Sequence, residues 1–135
     1  MEIRKATLQD YSTISHMVAP HKLPYLRAAH IHADIEANHE LVAIEDGHIV
    51  GIAAIVWDSQ YSYWAIKRLL IPNKKNRGKG IARTLILAAI TGKKEKIGCT
   101  PWKDNIPMIK LLESLDFQLE YIFDDKWCFY SKKGE

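Results

Sequence analysis

The sequence predicts a single domain built on a mixed α/β sheet, with helices before and after one long central strand. Three observations predict it. The chain has 135 residues, a length that suits one folding unit. Seven short apolar stretches read as strands and four longer stretches carry apolar residues at helical spacing. Turn residues separate these stretches: Glu45-Asp46-Gly47-His48, Gly92 and Asp124-Asp125.

Taken in order, Ile3 to Ala6 is a first strand, and Asp10 caps a helix to about Val18 with Ile14 and Met17 on one face. Pro20 and Pro24 interrupt the chain, and Tyr25 to Asn38 reads as a second helix with Leu26, Ile31 and Ile35 inward. Leu41 to Ile44 and Ile49 to Trp57 form a hairpin. Tyr61 to Ile71 is a long strand rich in aromatic and branched residues. Gly80 to about Thr91 is a third helix, closed by Gly92. Lys96 to Thr100 is a short strand, and Asp104 or Asn105 caps a helix through Leu115, with Pro107 in its first turn. Phe117 to Phe123 and Lys126 to Ser131 form a closing hairpin.

Composition excludes several classes. Hydrophobic residues make up 47% and charged residues 26%, as in ordinary soluble domains. The net charge is 19 − 16 = +3, too small to imply nucleic acid. The longest apolar run, around Leu85 to Ile90, is too short to span a membrane, and Met1 to Lys5 has no apolar signal region. Cys99 and Cys128 lack metal-type spacing and read as free thiols, so a cytoplasmic protein is expected. His30, His32, Asp34 and Glu36 form two i,i+4 pairs, His30 with Asp34 and His32 with Glu36, that point in different directions. No metal is expected there.

The sharpest chemical signal is Arg77-Gly78-Lys79-Gly80-Ile81-Ala82, between the long strand and the third helix. Amides opening a helix have no intrahelical acceptor, and the helix dipole favours an anion there. Glycine lets backbone approach that anion closely. The nucleotide-hydrolase loop Gly-x-x-x-x-Gly-Lys-Ser/Thr is absent, and the dinucleotide pattern fails at Arg83, where a third glycine is needed.

Arg-x-x-Gly-x-Ala does fit, as Arg77, Gly80 and Ala82. Here the chain resembles the GNAT superfamily of N-acetyltransferases, whose turn of this type binds the pyrophosphate of acetyl-CoA. Ile3 to Thr7 with Asp10, Ile71-Pro72 before the turn, and Asn105 followed by Ile109, Leu111, Leu112, Leu115 and Phe117 are similar to family patterns. The resemblance is sharp over Ile49 to Phe117 and weak over Pro20 to Glu40.

The resemblance implies a GNAT-like acyl-CoA N-acyltransferase fold over residues 1–135, with acetyl transfer from acetyl-CoA to a primary amine of a small molecule or peptide by direct attack. It implies that Arg77, Gly78, Lys79, Gly80, Ile81 and Ala82 hold the pyrophosphate. Leu69, Leu70 and Ile71 would pair with the pantetheine arm, the amide near Leu70 or Ile71 would bind the oxyanion, and Asn105 would bond the arm or cap its own helix. Lys74, Lys75 and Lys79 face either the 3′-phosphate or solvent. Trp57, Tyr61, Tyr63, Trp64 and Trp102 are packing residues from which one or two could line an acceptor pocket. Many members pair as dimers, so a homodimer is implied.

Departures concern proton transfer. Leu112 stands where many members have a tyrosine, and Lys67 and Arg68 stand near the place of a glutamate. Asp58 is the carboxylate left as a base. These departures keep open a catalytically silent CoA-binding module used as a sensor.

Overall fold

The computed structural model describes residues 1–21 and 28–135. The strands are β1 (Glu2–Lys5), β2 (Glu40–Glu45), β3 (His48–Asp58), β4 (Tyr63–Leu70), β5 (Ile97–Cys99), β6 (Gln118–Phe123) and β7 (Trp127–Lys132). The α-helices are α1 (Tyr11–Val18), α2 (Ala28–Glu36), α3 (Ile81–Ile90) and α4 (Ile106–Ser114). The sheet order is β1-β2-β3-β4-β5-β7-β6. β4 and β5 run parallel, whereas β1–β2, β2–β3, β5–β7 and β6–β7 are antiparallel. The mixed α/β sheet expected from the sequence is therefore present. The start of the expected second helix, with Pro24 and Leu26, lies outside the described residues.

The chain forms two compact units, each discontinuous in sequence: Met1–Val56 with Lys67–Ala89, and Trp57–Ile66 with Ile90–Glu135. In the first unit, strand alternation divides the core. Val42 and Ile52 point to one face, where Ile14 and Val18 of α1 and Ile31 and Ile35 of α2 bury against them. Ala43 and Ala53 point to the other, against Ile81 and Leu85 of α3. Small residues on that second face let α3 approach closely. Gly51 carries this furthest: a Cβ there would lie 2.6 Å from Ile71 Cδ1 and 3.1 Å from both Ile81 Cγ2 and Leu85 Cδ1. Gly51→Val is expected to cost about 1–3 kcal/mol through overpacking, read as a lower urea midpoint. An unchanged midpoint would show that Ile71 swings aside freely.

In the second unit, Ile97, Leu112, Leu115 and Phe117 are buried with Phe129 and Tyr130 of β7. The hairpin turns at Asp46-Gly47 and Asp124-Asp125 all have positive φ (51°, 77°, 54° and 51°), as their turn chemistry requires. Asp10 corrects the sequence reading. Its own φ and ψ are helical, and its carboxylate accepts from the Thr7 amide at 2.8 Å instead of capping α1. Arg4 grips the same carboxylate at 2.8 and 3.0 Å and, with Thr7, holds its pKa down at about 2.

Candidate functional site

The first unit contains the segment where strand, glycine turn and helix meet. β4 pairs with β5 only through Trp64↔Ile97, Ala65↔Gly98 and Ile66↔Cys99, then runs four residues further to Leu70. Within that extension Arg68 has φ +52°, a left-handed backbone in the middle of a strand. For a residue other than glycine this conformation costs on the order of 1–3 kcal/mol unless its surroundings hold it. The exposed Lys74–Asn76 turn follows, opened by Asn73, whose side chain accepts from the Lys75 amide at 3.1 Å.

Gly78 and Gly80 have φ +79° and +83°, and a Cβ at either would meet nothing within 4 Å. Their glycine identity thus serves backbone conformation and open space, not internal packing. Thr84 closes the first helical turn, its amide donating to Gly80 O at 3.0 Å and its hydroxyl at 2.8 Å. The amides of Ile81 and Ala82 precede that bond and have no acceptor within the helix. They open α3, a ten-residue helix, beside exposed Lys79.

Arg77 takes a different place from a simple phosphate ligand. Its Nε donates to Ile71 O at 2.9 Å and its guanidinium also reaches Pro72 O at 3.4 Å. Arg77 therefore ties the turn to the end of β4. Beside it an open depression of about 510 Å³ is lined by Asn73, Lys75, Asn76 and Lys79 facing Glu45 and His48.

A second cluster in the same unit was not legible in the sequence. The buried guanidinium of Arg68 donates to Asp34 Oδ2 and to Glu40 Oε2, the latter at 2.9 Å. Glu40 is fully buried, and its other oxygen, Oε1, has no hydrogen-bond partner among the described residues. Burial pushes the Glu40 carboxyl up to about 7, against the opposing pull of Arg68. His39 Nδ1 lies 3.9 Å from Asp34 Oδ1. The expected His30–Asp34 pair thus gives way to Arg68, because the buried cation needs the carboxylate more than an exposed imidazole does. The other expected pair is present, with His32 Nδ1 2.8 Å from Glu36. Among the described residues no group of His, Cys, Asp and Glu could hold a metal ion.

Asp58 and Asn105 belong to the second unit. Asp58 Oδ1 accepts from the Tyr61 amide at 3.0 Å and so organises the turn into β4. The whole of β4 separates it in sequence from Ile71. Asp58, the carboxylate expected as a base, has this turn contact through Oδ1. Asn105 Oδ1 accepts from the Met108 amide at 3.3 Å and caps α4, while Asp104 accepts from Trp102 Nε1. Leu112 is fully buried, so the position read against a tyrosine is a packing position here. The aromatic residues pack on one another: Trp57 against Trp64, Tyr63 against Phe129, and Trp102 against Trp127, each edge-on at 5.2–5.3 Å.

Comparison with known proteins agrees with this geometry. Residues 4–117 match the model of the acetyltransferase (GNAT) family. By sequence, no curated protein matches the chain. Among solved structures, a GNAT-family acetyltransferase from Bacillus cereus superposes with a TM-score of 0.84 at 18% identity, over 99% of this chain and 97% of that one. The yncA structure from Salmonella typhimurium, solved with its cofactor acetyl-CoA, gives 0.77 at 21% identity over 98% and 93%. The PaiA N-acetyltransferase from Thermoplasma acidophilum, in complex with coenzyme A, gives 0.80 at 18% identity over 98% of each chain. At these identities the likeness is one of fold. With the family match over most of its length, the chain belongs to the acetyltransferase (GNAT) family.

Proposed function

We propose that residues 1–135 act as one acetyltransferase domain that moves an acetyl group from acetyl-CoA to a primary amine of a small molecule or peptide by direct attack. The observation that carries this reading is the amino end of α3, opened by Gly78 and Gly80 at positive φ after β4 and the Lys74–Asn76 turn. The two solved relatives that hold acetyl-CoA or coenzyme A have the same fold and lend it support.

In this reading the amides of Gly78 to Ala82 bind the pyrophosphate, with Arg77 bracing the turn and Lys74, Lys75 and Lys79 facing the 3′-phosphate. Beyond Ile66, β4 has no β5 partner, and Leu69 to Ile71 pair there with the pantetheine arm as an added strand would. Arg77 already occupies the Ile71 carbonyl, so the Ile71 amide is the donor assigned to the oxyanion. The attacking amine must be neutral, at a cost of about 4.6 kcal/mol at pH 7 for a lysine-like pKa. The leaving thiolate, with a pKa of about 8.5, departs without needing an acid.

Two buried free thiols, Cys99 and Cys128, support a reducing, cytoplasmic setting. No helix among the described residues is long and apolar enough to cross a membrane. A homodimer belongs to the same reading. It is supported by β6, the strand ending the sheet order, whose six residues are all exposed, Leu119, Tyr121, Ile122 and Phe123 among them. Sedimentation equilibrium should find two copies associated, and a monomer at all concentrations refutes that part.

Calorimetry with coenzyme A and acetyl-CoA tests the proposal, followed by a free-thiol assay across an amine panel. Heat with both ligands and thiol release with at least one amine are expected. No heat with either ligand ends the proposal. Heat without thiol release across a broad panel favours the silent CoA-binding module. The placement of Asp58 in a turn and of Leu112 in the core supports that second reading.

A further inference from the structure

We propose that Asp34, Glu40 and Arg68 form a buried ionic brace that holds β4 in its left-handed bend and so aims the amides of Leu69, Leu70 and Ile71 at the acyl end of the cofactor. The three are positioning residues, and the inference rests on the acetyltransferase reading above.

Three observations meet at this point. Arg68 has φ +52° inside a strand, a conformation that an arginine does not adopt without being held there. Its side chain is then the holding device: the guanidinium is 4% exposed as a residue and bridges Asp34 on α2 and Glu40 on β2, residues 34 and 28 positions away. The bend falls two residues beyond Ile66, the last β4 residue paired with β5, and one residue before the amides assigned to the acyl group. A bend in a strand turns the following N–H groups away from their regular direction. A change in the brace therefore re-aims Leu69 to Ile71 without touching the turn at Gly78 to Ala82.

Among the described residues, the charged groups that pair with Arg68 include Asp34 and Glu40, with His39 behind Asp34. One cation faces two carboxylates, so Glu40→Gln removes charge while keeping volume and one acceptor. Asp34→Asn does the same from the helix side. Both leave the backbone of β4 chemically unaltered, so any displacement of its amides reports the brace. Arg68→Ala removes the brace and keeps the unfavourable φ. Arg68→Gly removes the brace together with the strain, since glycine populates that region at little cost.

The test is amide NMR on the full chain, titrated with acetyl-CoA. In the wild type, both Gly78 to Ala82 and Leu69 to Ile71 should shift. In Glu40→Gln, Asp34→Asn and Arg68→Ala, the shifts at Gly78 to Ala82 should persist while those at Leu69 to Ile71 are lost. Arg68→Gly should recover them in part, a rescue that mere loss of stability does not produce. If Arg68→Ala fails to fold, the two carboxylate variants decide. Responses at Leu69 to Ile71 equal to wild type in both carboxylate variants overturn the proposal. So does a wild type in which the turn responds and Leu69 to Ile71 stay silent, an outcome that leaves cofactor binding standing. Silence at both segments, with no calorimetric heat, removes the acetyltransferase reading and the brace's role together.

Discussion

Gly80→Val is expected to weaken coenzyme A binding by about 100-fold, or about 2.7 kcal/mol, while the chain remains folded. The loss follows in two steps. A branched residue at φ +83° is strained by roughly 1–2 kcal/mol. Relief of that strain turns the amides opening α3 away from the anion, and each lost hydrogen bond to a charged group is worth about 1.5–3 kcal/mol. Nothing within 4 Å meets a Cβ at Gly80, so packing is not the cause. Gly92 provides the control. It has φ +78° and an equally open Cβ direction, but follows the carboxyl end of α3. Gly92→Val should lose similar stability and bind coenzyme A as the wild type does. Equal affinities for the two variants, measured by calorimetry, would remove the phosphate role of the turn.

The folded state is expected to lose about 3 kcal/mol of stability between pH 4.5 and pH 8 through Glu40 alone. The sign follows from the raised pKa. Glu40 has an ordinary value of 4.5 and a folded value of about 7, because burial penalises its charge more than Arg68 repays. The folded protein thus holds a proton that the unfolded chain gives up. Stability from this source is complete below 4.5 and is lost as pH rises through 7. Asp10 acts in a separate window. Its depressed pKa, about 2, supplies stability that is lost only as pH falls below its usual range. Urea titrations across the pH series should show the slope in wild type and its absence in Glu40→Gln. Parallel curves for the two proteins would refute the assignment. Arg68→Met should be worse than either, by about 3–5 kcal/mol at neutral pH, because buried Glu40 and part-buried Asp34 lose their cation. Its deficit should shrink in acid as Glu40 takes up a proton.

Much of the molecule was legible from local chemistry. The Asp46-Gly47 turn, the Gly92 stop after α3 and the Asn105 cap each act over a few residues, and their side chains suffice to specify them. The same holds for the turn before α3, where two glycines and a helix start are contiguous. Reading by short-range spacing failed where a longer-range partner competed. Asp34 has His30 one helical turn away, yet pairs with Arg68. Asp10 stands where a helix cap belongs, yet turns to Arg4 and Thr7.

Periodicity, turn residues and the glycine-rich segment alone determined the order of strands and helices and the place of the glycine turn before α3, since each depends on neighbours along the chain. Only the folded arrangement decided that Arg68, Asp34 and Glu40 meet. The reason is desolvation: once β2, α2 and β4 exclude water around Arg68, its charge selects whichever carboxylates the fold brings within reach, and that choice depends on distance in space.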